Sequence, residues 1–323
     1  MPTAHNFATP VKESISLLLI RTPFQAHLGE LALSSEGVTQ FDLIFVYQVD
    51  SPETRSYFGK LAERAREAYL VREPSESNAI WNTHRLFQQL KKLALLPEYE
   101  SVLLASVDSI VFASIALSKS KDLITFDDGI ENINPLGNFN LGAQGWKKGL
   151  LRFAFCASSV KHLKEKIRVH YTIFKGYKNI VEENRLRFIT GWEGKRELRD
   201  QDAACVTFFV GSPFEEDMSP AQVTSLTQIA QTLEIDFYVV HPRETKPLRL
   251  QAPVLEKDGL IAEEAILVKA RGRKFRLVGG PSSVMFNLSG AETRTILFPR
   301  QLSRLEPLLQ IANKSGCDVI RFN

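Results

Sequence analysis

The chain has 323 residues, 44% of them apolar and 24% charged, which is the composition of an ordinary soluble globular protein. That length predicts two domains, because single cores stop growing at about 250–300 residues. Forty basic against 37 acidic residues leave a net charge of +3, too little to announce a nucleic-acid partner. The longest uncharged apolar runs, such as Ile15–Ile20 and Val102–Ser106, fall far short of the roughly 20 residues that span a bilayer.

The first fourteen residues lack the basic start and long apolar stretch of a secretory signal. Cys156, Cys205 and Cys317 are widely separated and odd in number, with neither metal-ligand spacing nor a disulfide framework. A cytoplasmic enzyme is the expectation.

Along the chain, short apolar runs alternate with longer amphipathic stretches. Ser16–Ile20, Phe41–Tyr47, Ser101–Ala105 and Leu123–Phe126 read as buried strands. Glu53–Leu70, Asn78–Leu93 and Ser109–Ser118 read as the helices between them, and this order predicts a parallel sheet covered on both faces. The rhythm breaks over 130–200, where helices and loops are expected. A second series runs through strands at Cys205–Val210, Ile235–Val240, Phe275–Val278 and Thr295–Phe298. Its helices are predicted at Ser219–Leu233, Ile261–Ala270, Ser283–Leu288 and Leu302–Asn313. The reading is thus an α/β chain of two doubly wound halves. The first covers 1–200, with a helical insertion at 130–200; the second covers 205–323, after a linker near 195–204.

In such sheets ligands collect beyond the carboxyl ends of the strands, so the residues just after each strand carry the functional information. The first strand runs into Arg21-Thr22-Pro23-Phe24-Gln25, where Pro23 opens a helix and Gln25 is a candidate for the cleft. The fourth runs into Asp127-Asp128-Gly129. Adjacent carboxylates leaving a buried strand are costly unless hydrogen-bonded or functional, although a plain Asp-Gly turn also has this sequence. Either could hold substrate hydroxyls or serve as a base.

In the second half, Gly211-Ser212-Pro213 precedes the acids Glu215, Glu216 and Asp217. Gly211 permits close backbone approach, and the acids either favour a helix start or include a base. His241-Pro242-Arg243 leaves another strand, where an imidazole can donate to a phosphate or protonate a leaving group. Glu263-Glu264 opens a helix, and Gly279-Gly280-Pro281-Ser282-Ser283 offers two hydroxyls for an anion. Neither a Walker loop nor a Gly-x-Gly-x-x-Gly fingerprint is present. Residues 147–178 carry nine Lys or Arg against the single acid Glu165, either a solvated face or a surface for anionic membrane or glycolipid.

Taken in order, Thr125–Ile133, His170–Ile180, Val210–Pro213, Tyr238–Arg243, Ala262–Leu267 and Pro281–Leu288 resemble the bacterial sialyltransferases of glycosyltransferase family 52, the lipooligosaccharide group. Milder similarity at Ala62–Tyr69 and Leu104–Ser106 extends the match over nearly the whole chain. The amino-terminal membrane anchor of some members is not expected here.

The resemblance implies a glycosyltransferase-B fold and inverting transfer of sialic acid from CMP-sialic acid to a terminal galactose. A monophosphate donor, with no Asp-x-Asp motif alongside Asp127 and Asp128, predicts a reaction without a cofactor or metal. The resemblance places His241 and Pro242 on the donor, His241 as acid or phosphate ligand. Ser282 and Ser283 fall on the donor phosphate, Glu263 and Glu264 on the ribose, and Gly211, Ser212 and Pro213 along the donor pocket. From their place at the strand ends of the first half, and not from the resemblance, Gln25, Asp127 and Asp128 are expected on the acceptor side. For the base, the closer relatives point to Asp217 or Glu216, while sialyltransferases of the same fold in other families point to Asp128.

The partners implied are a nucleotide-sugar donor and a galactose-terminated glycan or glycolipid. Peripheral contact with the inner face of the bacterial membrane and a homodimer are both compatible with the sequence. The rival readings are a same-fold enzyme using another nucleotide sugar, such as a UDP-hexose, and a non-catalytic glycan-binding protein.

Overall fold

The computed structural model describes residues 14–74, 79–120, 122–141, 149, 152–155, 159–192, 204–300 and 306–323, except for the side chains of Ala79, Asn138, Leu141 and Asp217. Its strands form two parallel sheets. The first has seven strands: β1 (Ser16–Ile20), β2 (Phe41–Tyr47), β3 (Glu67–Arg72), β4 (Ser101–Leu104), β5 (Asp122–Phe126), β6 (Ile167–Thr172) and β7 (Leu186–Phe188), in the order β3-β2-β1-β4-β5-β6-β7. The second has five: β8 (Val206–Val210), β9 (Phe237–Val239), β10 (Phe275–Gly279), β11 (Thr293–Pro299) and β12 (Asp318–Phe322), in the order β12-β11-β10-β8-β9.

Central strand β1 is buried at every position, which explains its uninterrupted Ser-Leu-Leu-Leu-Ile sequence. Leu18 and Ile20 face the layer of α1 (Pro23–Ser35) and α2 (Pro52–Ala62). Leu17 and Leu19 face α3 (Ala79–Leu93) and α4 (Ile110–Lys119). The α1/α2 core continues into the second half through Phe208, Leu277 and Val284, so the halves share an apolar layer. Phe209, on the opposite face of β8, packs with Phe214, Leu226 and Tyr238. Among the described residues, no helix is long and apolar enough to cross a membrane.

Several expected elements differ. The helix predicted over Glu53–Leu70 stops at Ala62, and Glu67–Arg72 is edge strand β3. Helix-favouring composition is overridden there by pairing. The Arg66 N–H donates to Phe41 O (2.8 Å), and its guanidinium grips Asp42 at the start of β2. The 130–200 region, expected to be helix and loop, contributes β6 and β7 to the sheet. The C-terminal strand β12 was likewise not anticipated. Residues 195–203 of the predicted linker, Leu302 at the predicted start of the last helix, and Cys156 lie outside the described residues; that helix is described over Glu306–Lys314.

Candidate active site

All strands of each sheet run the same way, so their carboxyl ends gather the candidate residues at one edge. After β1, Thr22 caps α1 by accepting the Gln25 N–H (3.1 Å), with Pro23 in the first turn. This cap turns the buried Gln25 side chain across the ends of β1, β4 and β5. Its Oε1 accepts the Arg21 N–H (2.7 Å), and its Nε2 donates to Ser106 Oγ (3.0 Å) and Asp128 Oδ1 (2.5 Å). Ser106 in turn donates to Asp128 Oδ2 (3.0 Å), and the Asp128 N–H donates to Asn132 Oδ1 (2.6 Å). Asp128 is half-buried. Loss of water around its carboxyl pushes the pKa above the ordinary value, with Asp108 adding repulsion and the two donated hydrogen bonds offsetting part of the rise.

Asp127 points the other way. It is fully buried, accepts from His170 Nε2 (2.9 Å), the Ile173 N–H (2.8 Å) and Asn179 Nδ2 (3.3 Å), and does not reach the cleft. Asp127, expected on the acceptor, is thus engaged within the protein. The register of β5 on β6 sets Thr125 opposite His170, and the Thr125 hydroxyl lies 2.8 Å from Nδ1.

Across the cleft, β10 runs into Gly279-Gly280 and the short helix Ser283–Asn287. Ser282 precedes that helix, and its hydroxyl makes no capping bond. Ser283 Oγ meets the first half directly, 3.4 Å from the Ile130 N–H. Gly129 has φ +77°, and a Cβ there would lie 2.7 Å from Ser283 Oγ. The Asp-Asp-Gly turn and the Ser-Ser element thus touch.

His241 follows β9. Its N–H donates to Glu244 Oε2 (3.1 Å), and the Arg243 N–H donates to Nδ1 (3.1 Å). The neutral ring therefore carries its proton on Nε2. Burial, followed by the positive charges of Arg243 and Lys257, drives the imidazole pKa down to about 4. The missing Cβ of Gly211, expected to permit close approach, makes room for this loop. A Cβ at 211 would meet Glu244 and sit 3.0 Å from the His241 amide nitrogen. Ser212 is buried beside Gly280, and its hydroxyl has no hydrogen-bond partner among the described residues. Pro213 precedes the one-turn helix Phe214–Asp217, and Pro242 is exposed behind His241.

The other acids divide. Glu215 and Glu216 are exposed on the one-turn helix and tied to the loop after β9. Thr245 and Lys246 meet Glu215, and Arg243 meets Glu216 (3.1 Å). The side chain of Asp217 lies outside those described. Glu263 is buried with Asn287 Nδ2 donating to it (2.8 Å), and burial raises its pKa. Glu264 reaches the first half, where it accepts from the Tyr57 hydroxyl and lies 3.7 Å from His27 Nδ1. Both carboxylates, expected on ribose hydroxyls, are thus engaged within the protein.

Sequence reasoning missed Ser106, Asn132, Tyr57 and Glu244 as partners. Ser106 stands at a strand tip, a signal that was available; Tyr57 lies mid-helix, where nothing marks it.

The profile of glycosyltransferase family 52 matches residues 39–297, most of the chain. The chain belongs to glycosyltransferase family 52. This family 52 chain is 27% identical over 289 residues to an N-acetyllactosaminide alpha-2,3-sialyltransferase of Haemophilus influenzae, covering 88% of this chain and 92% of that protein. A Neisseria meningitidis protein of the same description is 23% identical over 329 aligned residues, with coverages of 96% and 86%. A CMP-N-acetylneuraminate:beta-galactoside alpha-2,3-sialyltransferase of Pasteurella multocida is 22% identical over 278 residues, with coverages of 85% and 87%.

Among solved structures, a Listeria monocytogenes protein described as a UDP-N-acetylglucosamine 2-epimerase superposes with a TM-score of 0.51 at 13% identity, over 94% of this chain and 88% of that one. That likeness bears on the fold alone. The two facing parallel-sheet halves are of the glycosyltransferase-B type, as the sequence predicts. The family 52 protein is a glycosyltransferase.

Proposed function

We propose that this enzyme transfers sialic acid from CMP-sialic acid to a terminal galactose of lipooligosaccharide or a related glycan, by an inverting, metal-independent single displacement. The observation that carries this reading is the apposition of the Asp128 turn to the Ser282-Ser283 pair. In this reading Asp128, held by Gln25 and Ser106, is the base on the first half, and the Ser282-Ser283 pair opposite it holds the donor phosphate. The three relatives described as alpha-2,3-sialyltransferases, matching 85% to 96% of the chain, support the donor and acceptor classes.

In this mechanism the galactose hydroxyl attacks the anomeric carbon from the first-half side and loses its proton to Asp128. Seclusion from water lifts the basicity of that carboxylate, while Gln25 and Ser106 hold it in place. The bond from the anomeric carbon to the phosphate oxygen breaks on the opposite side. The charge that gathers on the single phosphate is met by His241 Nε2–H and the hydroxyls of Ser212, Ser282 and Ser283, an electrostatic role that asks for no divalent cation. The sialyl centre is oxocarbenium-like in passage, so in-line placement of acceptor and phosphate does the work of a covalent nucleophile.

Incubation with CMP-sialic acid and lactose tests the reading. Free CMP and sialylated lactose are expected in equal amounts, and CMP release that is indifferent to acceptor would overturn it.

A further inference from the structure

We propose that Arg21, Gln48 and Glu73 form the subsite for the second sugar of the acceptor, the ring to which the terminal galactose is attached. The proposal rests on the acceptor reading above and extends it along the first-half wall. These residues directly follow β1, β2 and β3, three parallel strands that neighbour one another in the sheet. Arg21 Nη2 donates to Glu73 Oε2, and Gln48 Nε2 donates to the same oxygen (2.6 Å). The three strand tips are thus tied into one polar group at the edge where ligands collect.

Contacts between the halves bracket this group. On one flank the Asp128 turn meets the Ser-Ser element of the second half. On the other, Glu53 at the start of α2 pairs with Lys257 (2.7 Å), and a Cβ at Gly259 would lie 3.2 Å from Ser56. The tips of β1 and β2 lie between these two contacts, so Arg21 and Gln48 stand along the cleft. Only β4 separates β1 from β5, which sets their tips two strand spacings apart, roughly 10 Å. A galactose with its attacking hydroxyl at Asp128 covers that interval and brings the next ring to Arg21. Hydrogen bonds join the two stations as well: the Arg21 N–H donates to Gln25 Oε1 (2.7 Å), and Gln25 donates to Asp128.

Charge and bonding capacity select a neutral sugar. The guanidinium of Arg21 and the carboxylate of Glu73 cancel, so the pair leaves no net charge for a phosphate or carboxylate to match. Both donated bonds converge on Oε2. Among the described residues, Glu73 Oε1, Gln48 Oε1 and Arg21 Nε and Nη1 take no further bond. The Arg21 and Glu73 side chains are 26% and 24% exposed, open enough to be reached and held firmly enough to be preorganised. Spare acceptors and donors side by side suit the hydroxyls of a hexose, each of which gives one hydrogen bond and takes others.

Acceptor kinetics of the full chain with lactose and with methyl β-galactoside, which lacks the second ring, test the assignment. Glu73→Ala should raise KM for lactose about ten-fold at unchanged kcat, the loss of a hydrogen bond to a charged group. Gln48→Ala, at an exposed side chain, should act in the same direction by less. For methyl β-galactoside both variants should keep KM within about two-fold of the parent value. Equal losses for the two acceptors, or none for lactose, overturn the proposal and leave the Arg21–Glu73 pair a tie between strand ends. Saturation-transfer NMR with lactose and CMP separates the subsite from the activity. The parent chain should pass saturation to both rings of lactose, and Glu73→Ala to the galactose ring alone. That pattern in a protein that forms no sialylated product supports the subsite and refutes the sialyl transfer. Product formation with glucose-ring signals unmoved by Glu73→Ala does the reverse.

Discussion

Asp127 and Asp128 are neighbours in the chain and face opposite environments. Asp127 is sealed in the core on His170, while Asp128 lies at the cleft under Gln25 and Ser106. The end of β5 makes this division. The strand alternates its side chains between faces until Phe126, and the Asp127 N–H still pairs with Tyr171 O (3.1 Å) on β6. Beyond it the chain leaves the sheet, so the next carboxylate is released towards the cleft. One acid fixes the turn and the other is left available for chemistry.

The base is tested by comparing Asp128→Ala, Glu216→Ala and Asp217→Ala under saturating donor and acceptor. Asp128→Ala should lose on the order of 10²-fold or more in turnover with CMP affinity unchanged, because the base acts only in the transition state. Glu216→Ala should stay near normal, given its exposed pairing with Arg243. A dead Asp217→Ala with an active Asp128→Ala would transfer the role to the second half.

The pH dependence follows from the direction of the Asp128 shift. A base must be ionised, so turnover should rise with pH through a pKa lying above the ordinary aspartate value of about 3.9. The Gln25 hydrogen bond favours the charged form, so Gln25→Ala should move that acidic limb to still higher pH. A limb that stays put in Gln25→Ala would separate the limiting ionisation from Asp128.

For Asp127 the expectation concerns stability. Asp127→Ala leaves fully buried His170 and the Ile173 N–H without their acceptor, a change that costs about 1–3 kcal/mol for each unsatisfied group. Asp128→Ala leaves one Gln25 N–H and the Ser106 hydroxyl without an acceptor but also removes a desolvated carboxylate, so it should cost less than Asp127→Ala. Urea unfolding of both variants measures the contrast, and equal losses would contradict the division between them.

Much of this was legible in the sequence for a physical reason. β1, β2, β4 and β8 are buried on both faces, so each is written as a largely apolar run. His241, Ser282 and Ser283 could be placed because strand ends in parallel sheets gather at one edge. β6 was not legible: Ile-Arg-Val-His-Tyr-Thr mixes polar residues into a strand whose histidine is sealed by a partner 43 residues away. The roles of Asp127 and Glu264 were hidden for the same reason. What decides them is which way the backbone turns and what crosses the cleft to meet them, and neither leaves a local pattern.

His241 links donor chemistry to stability. Its pKa in the fold is about 4, against about 6.5 in an unfolded chain, so the unfolded chain takes up the proton first. The stability associated with the neutral ring is present above about pH 6.5, is lost as pH falls towards 4, and changes no further below that. His241→Gln should flatten this part of the stability profile and lower turnover by on the order of 10²-fold. An unaltered profile together with normal turnover would leave His241 with neither role.

Chelation separates the proposed chemistry from a metal-assisted one. The departing group is a monophosphate, and one imidazole N–H with three hydroxyls matches the charge it gains. Turnover should survive excess chelator. Loss that Mg²⁺ or Mn²⁺ restores would require a cation at the phosphate.

Gly129→Ala probes the contact between the halves. The residue sits at φ +77°, which costs an alanine about 1 kcal/mol, and the new methyl would press on Ser283 Oγ, 2.7 Å from the position of its carbon. Relief requires the hydroxyl to rotate away from the Ile130 N–H or the turn to withdraw from the Ser-Ser element. Either outcome should lower turnover and donor affinity together, since Ser283 is proposed on the phosphate. The steric part can be isolated by stability. Removing the hydroxyl in a Gly129→Ala/Ser283→Ala double variant should recover part of the loss, whereas the backbone cost at φ +77° should persist. A double-mutant cycle in denaturant reads the difference as a coupling energy, expected at about 0.5 kcal/mol or more for residues in contact. Strict additivity would mean that the turn and the serine do not touch in solution, and that the cleft is open where this structure has it closed.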